Sequence, residues 1–138
     1  MEQALFKCVL FLIAIFFMGA CTKNHIGTIK EQSVSLYKCS DKSIEPYICF
    51  DSLLQDSRCP IGEECVWSGT AIVKISFHEN GRSHELKMSL KEFPGLGYPA
   101  DTIIQGYKIS FIDLKPHPSF DNPVPQSSEI LASFNIMH

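Results

Sequence analysis

From Ala71 to Leu90 the chain alternates apolar and polar side chains: Ala71, Val73, Ile75 and Phe77 against Ile72, Lys74, Ser76 and His78, then, after Asn80-Gly81, Leu86, Met88 and Leu90 against Glu85, Lys87 and Ser89. Such alternation puts successive side chains on opposite faces of a strand, and Asn-Gly supplies the left-handed residues of a tight hairpin turn. With the turn at Asn80 and Gly81, Glu79 faces Arg82, while Ile75 meets Leu86, Val73 meets Met88 and Ala71 meets Leu90. All these inner partners are apolar, so turn chemistry and hydrophobic pattern specify one register. The outer face pairs Ser76 with Glu85 and His78 with Ser83, and it sets Lys74 opposite Lys87, a like-charge pair that calls for an acidic neighbour.

Further strands are predicted over Ile29–Tyr37, Tyr47–Leu54, Thr102–Gln105, Tyr107–Leu114 and Glu129–Met137, the last with Ile130, Ala132, Phe134 and Ile136 on one face. Between them, Phe93-Pro94-Gly95-Leu96-Gly97-Tyr98-Pro99, Pro116-His117-Pro118, Pro123 and Pro125 fix loops, because proline cannot donate to a ladder. No segment sustains a helical period. Six or seven short strands with regular turns predict an all-β fold, an antiparallel β-sandwich (immunoglobulin-like or related), with a small β-barrel enclosing a lipid or small ligand as the alternative.

The first twenty residues follow a different pattern. From Cys8 to Ala20 there is no charge, and the run holds Val9, Leu10, Phe11, Leu12, Ile13, Ile15, Phe16 and Phe17 behind Lys7. It falls short of the roughly 20 apolar residues that cross a bilayer and fits the apolar region of a signal peptide. The run closes on Met18-Gly19-Ala20-Cys21, which resembles a bacterial lipobox. That resemblance implies cleavage before Cys21, diacylglycerol on its thiol and acylation (a palmitate-type modification) of the new amine. Two or three acyl chains, at about 0.8 kcal/mol per buried methylene, hold a protein on a membrane essentially permanently. The domains expected are a lipoprotein signal peptide at 1–20, a polar tether at 21–30 and a single β-domain at 31–138. No Asp follows Cys21 and no acidic run succeeds it, a pattern similar to that of lipoproteins of the bacterial cell envelope delivered to the outer membrane and facing the periplasm.

Composition narrows the function classes. The formal net charge is −3, and the leader's Lys7 and Glu2 cancel, so the mature chain is mildly acidic. With no Lys/Arg cluster, nucleic acid is not an expected partner. Of six cysteines, Cys8 leaves with the leader and Cys21 takes the lipid, which leaves Cys39, Cys49, Cys59 and Cys65 for disulfides in an oxidising compartment. Four cysteines allow three connectivities. Pro60, Ile61 and Gly62 favour Cys59 with Cys65 across a tight turn, and Cys39 with Cys49 would follow. The Cys59-to-Cys65 spacing is not a zinc knuckle and no His-x3-His pattern follows, so no metal and no cofactor are expected.

Asp56-Ser57-Arg58-Cys59-Pro60 and Cys65-Val66-Trp67-Ser68-Gly69-Thr70-Ala71, with the later Tyr107, Ile109, Phe111, Leu114, Pro116 and Pro118, resemble a group of small uncharacterised bacterial secreted proteins and lipoproteins. The resemblance covers Phe50 to Ile136 and brings no activity with it. The group carries the two motif cysteines without counterparts of Cys39 and Cys49, which implies the same pairing that the spacing favours.

Candidate binding residues are Arg58, Trp67, Phe93 and Tyr98. Trp67, the single tryptophan, is expected to start a strand and pack over the disulfide or close one end of the core, with ligand stacking as its alternative role. Arg58 offers a planar fork that Asp56, Asp51 or loop carbonyls can hold, or that can take a carboxylate or sulfate ligand. No catalytic residue is expected: there is no Gly-x-Ser-x-Gly elbow, and Cys59 and Cys65 lack the C-x-x-C spacing of a thiol-redox pair. His78 and His84 fall on opposite faces of the hairpin, which separates them as metal ligands. The expected role is therefore a non-enzymatic, membrane-anchored module binding another envelope protein or a glycan through loops such as Lys91–Ala100. The alternatives are a small-ligand-binding barrel or inhibitor and, last, a thiol-redox or hydrolytic enzyme. A concave site gathering Arg58, Asp56 and a histidine is the arrangement that would favour an enzyme.

Overall fold

The computed structural model describes residues 27–92, 95, 97–121 and 125–138. The signal peptide, Cys21, most of the tether and Phe93 lie outside them. Among the described residues seven strands form: β1 Ile29–Ser35, β2 Tyr47–Asp56, β3 Ala71–Glu79, β4 Arg82–Ser89, β5 Asp101–Ile104, β6 Tyr107–Lys115 and β7 Leu131–Met137. One antiparallel sheet runs β1-β7-β6-β5 and the other β2-β3-β4. They pack face to face without closing, so the fold is an antiparallel sandwich and the barrel is not formed. The order differs from the immunoglobulin order, since β1 pairs with β7 rather than with β2.

The hairpin takes the register its pattern specifies: Ile75 faces Leu86, Val73 faces Met88 and Glu79 faces Arg82. Asn80 (φ 48°) and Gly81 (φ 71°) are both left-handed, as a type I′ turn requires. Lys74 does face Lys87, and the repulsion is relieved diagonally, where Lys74 Nζ lies 2.7 Å from Glu85 Oε2. The hydrogen bond between them raises the Lys74 pKa and lowers that of Glu85.

Strand ends differ from the pattern where the backbone turns. β1 begins at Ile29, two residues inside the expected tether, and stops at Ser35 because Tyr37 adopts φ 62° and crosses to the other sheet, donating to the Phe50 carbonyl at 2.8 Å. β7 starts at Leu131 rather than Glu129, whose amide and carboxylate close a turn with Gln126.

Fully buried Phe50, Phe77, Phe134, Ile48, Ile75, Met88, Ile109 and Leu114 fill the space between the sheets. The inward-facing Gln32 is buried too, its amide donating to the Pro46 carbonyl at 2.9 Å and accepting from the Ser40 hydroxyl at 2.7 Å. These bonds fasten the Cys39–Cys49 loop across the open side between β1 and β2, and satisfy an amide that would otherwise be costly to bury.

The sandwich has two ends. Its lower pole gathers the start of β1, the Asn80-Gly81 turn, the β5–β6 turn at Gln105-Gly106 and His138; Phe77 and Tyr107 join the sheets there, ring centroids 5.6 Å apart, with His138 against Tyr107 at 4.5 Å. The upper pole gathers the Cys59–Cys65 loop, the segment after β4 and residues 116–120. Ser89, fully buried, holds that segment: its hydroxyl lies 2.7 Å from the carbonyls of both Lys91 and Tyr98, and its amide donates to Pro99 at 3.0 Å.

Candidate functional site

The upper pole is built on Arg58. Only 6% exposed, it sits just beyond β2 and spends its fork inside the protein. Nε donates to Asp56 Oδ1 at 2.8 Å and Nη2 to Asp56 Oδ2 at 2.7 Å, a bidentate pair. Nη1 donates to the Leu114 carbonyl and Nη2 to the Pro116 carbonyl at 2.9 Å, which ties the end of β2 to the end of β6 across the two sheets. His117 continues the chain of bonds, with Nδ1 3.5 Å from Arg58 Nη1 and Nε2 2.9 Å from the Cys59 carbonyl. Because a carbonyl only accepts, Nε2 carries the hydrogen and Nδ1 faces the guanidinium as acceptor. Asp51 takes no part and accepts from the Ser76 hydroxyl at 2.7 Å.

Arg58, Asp56 and a histidine thus converge, the arrangement named above as favouring an enzyme. Their geometry is that of a brace. The guanidinium is enclosed, and both imidazole nitrogens are engaged. Beside them an open cleft of about 710 Å³ is lined by Asp113, Leu114, Lys115, Pro116, His117 and Glu129. Its acidic groups also serve the local backbone: Asp113 accepts from the Leu114 amide at 2.9 Å and Glu129 from the Gln126 amide at 3.0 Å. Ser57, the nearest hydroxyl to the brace in sequence, donates to the Thr70 carbonyl at 3.0 Å.

Gly69 completes the brace. Its φ is 62°, and a Cβ placed on it would lie 1.7 Å from the Ser57 carbonyl oxygen. That close approach lets Ser57 donate its amide to the Thr70 carbonyl at 2.9 Å and Cys59 its amide to the Ser68 carbonyl at 3.1 Å. Asp56, Ser57, Arg58, Cys59 and Gly69 are therefore all explained by internal contacts. The cysteines form Cys39–Cys49 and Cys59–Cys65. Cys59→Ser/Cys65→Ser is expected to lower stability by about 2 kcal/mol in the chain-entropy picture, measured by thermal unfolding against the parent under non-reducing conditions.

Trp67 departs from expectation. The Ser57–Thr70 bonds set the start of β3 at Ala71, so Trp67 lies on the loop before it and is 54% exposed rather than closing the core. Val66 beside it is fully exposed, and Ile61 and Phe120 are also exposed. Ile61 donates its amide to the Pro118 carbonyl at 2.9 Å, which joins the disulfide loop to the loop bearing Phe120. The upper pole thus carries an apolar group on a rigid support. Tyr98 is half-buried, its carbonyl held by Ser89, so of the other candidates it adds only an edge. Exposed Ile61, Val66 and Phe120 were not singled out from sequence, because nothing in local pattern distinguishes an outward apolar loop residue from a core one. On the hairpin, His78 stacks on Tyr47 at 4.5 Å while His84 pairs with Phe77 on the other face. Among the described residues no group of His, Cys, Asp and Glu is arranged to hold a metal ion. No protein-family model, curated protein or solved structure matches this chain.

Proposed function

We propose that this protein is an exported, lipid-anchored envelope module, cut before Cys21 and held by acyl chains there, whose upper pole docks on another envelope protein. The observation that carries the docking role is the group Ile61, Val66, Trp67 and Phe120, exposed on loops immobilised by the Cys59–Cys65 bond and the Arg58 brace. Exposed apolar side chains gathered on one pole of a domain are the mark of an interaction surface. Three of the four side chains are aliphatic or phenyl, which favours a protein surface over a glycan. Rigid presentation also limits the ordering cost of association.

Trp67 is the chain's single tryptophan and reports on the surface directly. Photocrosslinking from position 67 in the lipidated protein, in intact envelopes, is expected to yield one discrete protein adduct that position 85 on the outer face of β4 does not give. A shift of Trp67 emission on titration with peptidoglycan fragments would instead assign the pole to a glycan. Labelled palmitate is expected in the parent and absent from Cys21→Ser, and its absence from both would sink the anchoring half of the proposal.

A further inference from the structure

At the lower pole the outer face of the β1-β7-β6-β5 sheet carries an apolar row. Ile29 pairs with Met137, Met137 with Lys108, and Lys108 with Ile103, so these four side chains lie across the sheet in a line at the lower pole. Ile29 and Ile103 are 63% and 75% exposed, and Met137 is exposed as well. The next row up is Glu31, Asn135, Ser110 and Asp101, and beyond it stand Ser33 and Ser133, all polar; Ile112 and Leu131 lie farther up, toward the other pole. Lys108 does not interrupt the line. Its Nζ turns up to Asp101 Oδ2 at 3.1 Å, in the polar row, and leaves its methylene stem between Met137 and Ile103.

This row adjoins the point at which the chain enters the domain. Between Cys21 and Ile29 lie seven residues, which even fully extended span about 25 Å. We infer that Ile29, Met137, Ile103 and the Lys108 stem rest on the lipid surface to which Cys21 is anchored. The inference depends on that anchoring. The lower pole is held beside the bilayer, and the apolar row is the part of this face nearest to it. Seven-residue β1 runs away from this row for about 23 Å, so the seated domain points Trp67 and its neighbours outward. The membrane contact thus fixes the orientation that the proposed docking pole requires.

The lipidated protein, purified from membranes and reconstituted into phosphatidylethanolamine–phosphatidylglycerol vesicles with or without brominated phosphatidylcholine, tests this. In a Trp67→Phe background, the indole introduced by Ile103→Trp is expected to be quenched by brominated lipid several-fold more strongly than Trp67 in the parent; Met137→Trp repeats the measurement from a second strand. Protein that floats with the vesicles while the position-103 and position-137 indoles stay as unquenched as Trp67 overturns the contact and leaves the anchor intact. Equal quenching at both poles overturns it too, as does an emission at position 103 that changes with protein concentration without lipid, which would assign the row to a second copy of the chain. Failure to float at all removes the anchoring reading, and this one with it.

Discussion

Gly69→Ala is expected to lower the stability of the domain by more than about 4 kcal/mol, a loss in the exceptional range for a single substitution. Two costs coincide at this position. A left-handed φ of 62° strains any side chain, and the added Cβ would overlap a backbone oxygen at 1.7 Å, which no rotamer change can relieve. Relief requires Ser57 and Gly69 to separate, and that breaks the hydrogen bonds from the Ser57 and Cys59 amides to the Thr70 and Ser68 carbonyls that anchor the disulfide loop. Against a typical domain stability of about 5–15 kcal/mol, equilibrium urea denaturation resolves such a loss easily. An alanine variant within about 1 kcal/mol of the parent would show that the two segments shift apart at little cost.

Arg58→Met is expected to cost about 3 kcal/mol by the same measurement, since it leaves the carbonyls of Leu114 and Pro116 enclosed without donors and Asp56 without its partner. Arg58→Lys is expected to recover little. An ammonium reaches one or two of these acceptors, whereas the planar fork serves Asp56 on one side and two carbonyls of another strand on the other. Recovery of most of the stability by lysine would mean that charge rather than geometry holds the pole together. The brace joins residues far apart in sequence, so its loss is also expected to speed amide exchange in residues 57–69, beyond the change in the strands themselves.

What could be read from the chain was whatever local chemistry decides. Asn80-Gly81 together with the flanking alternation determined a turn, two strands and a register, because a slip of one residue would turn Phe77 and Val73 out of the core. The remaining strands were legible as apolar runs between prolines. Their partners were not: nothing near Ile29 announces Met137, and nothing near Arg58 announces the carbonyls of Leu114 and Pro116, since backbone acceptors carry no sequence signature. Trp67 was misplaced for a related reason. Its neighbourhood reads as the approach to a strand, but the strand start is set by Ser57 binding Thr70 from another segment. Gly69 was visible as part of a motif, and its need for close backbone approach only emerges once the two segments are seen together.

The pairing of β1 with β7 sets an order of assembly. Ser33 and Ser133, whose hydroxyls meet at 2.8 Å, are 100 residues apart, whereas β2, β3 and β4 form a local meander and β5 and β6 a hairpin. Closing so long a loop has an entropic cost that local contacts do not bear, and folds rich in such contacts are slow. The three-stranded sheet can therefore form from the middle of the chain while β1, the first strand synthesised, waits for the last. Until β7 arrives, β1 and β6 each present an unpaired edge.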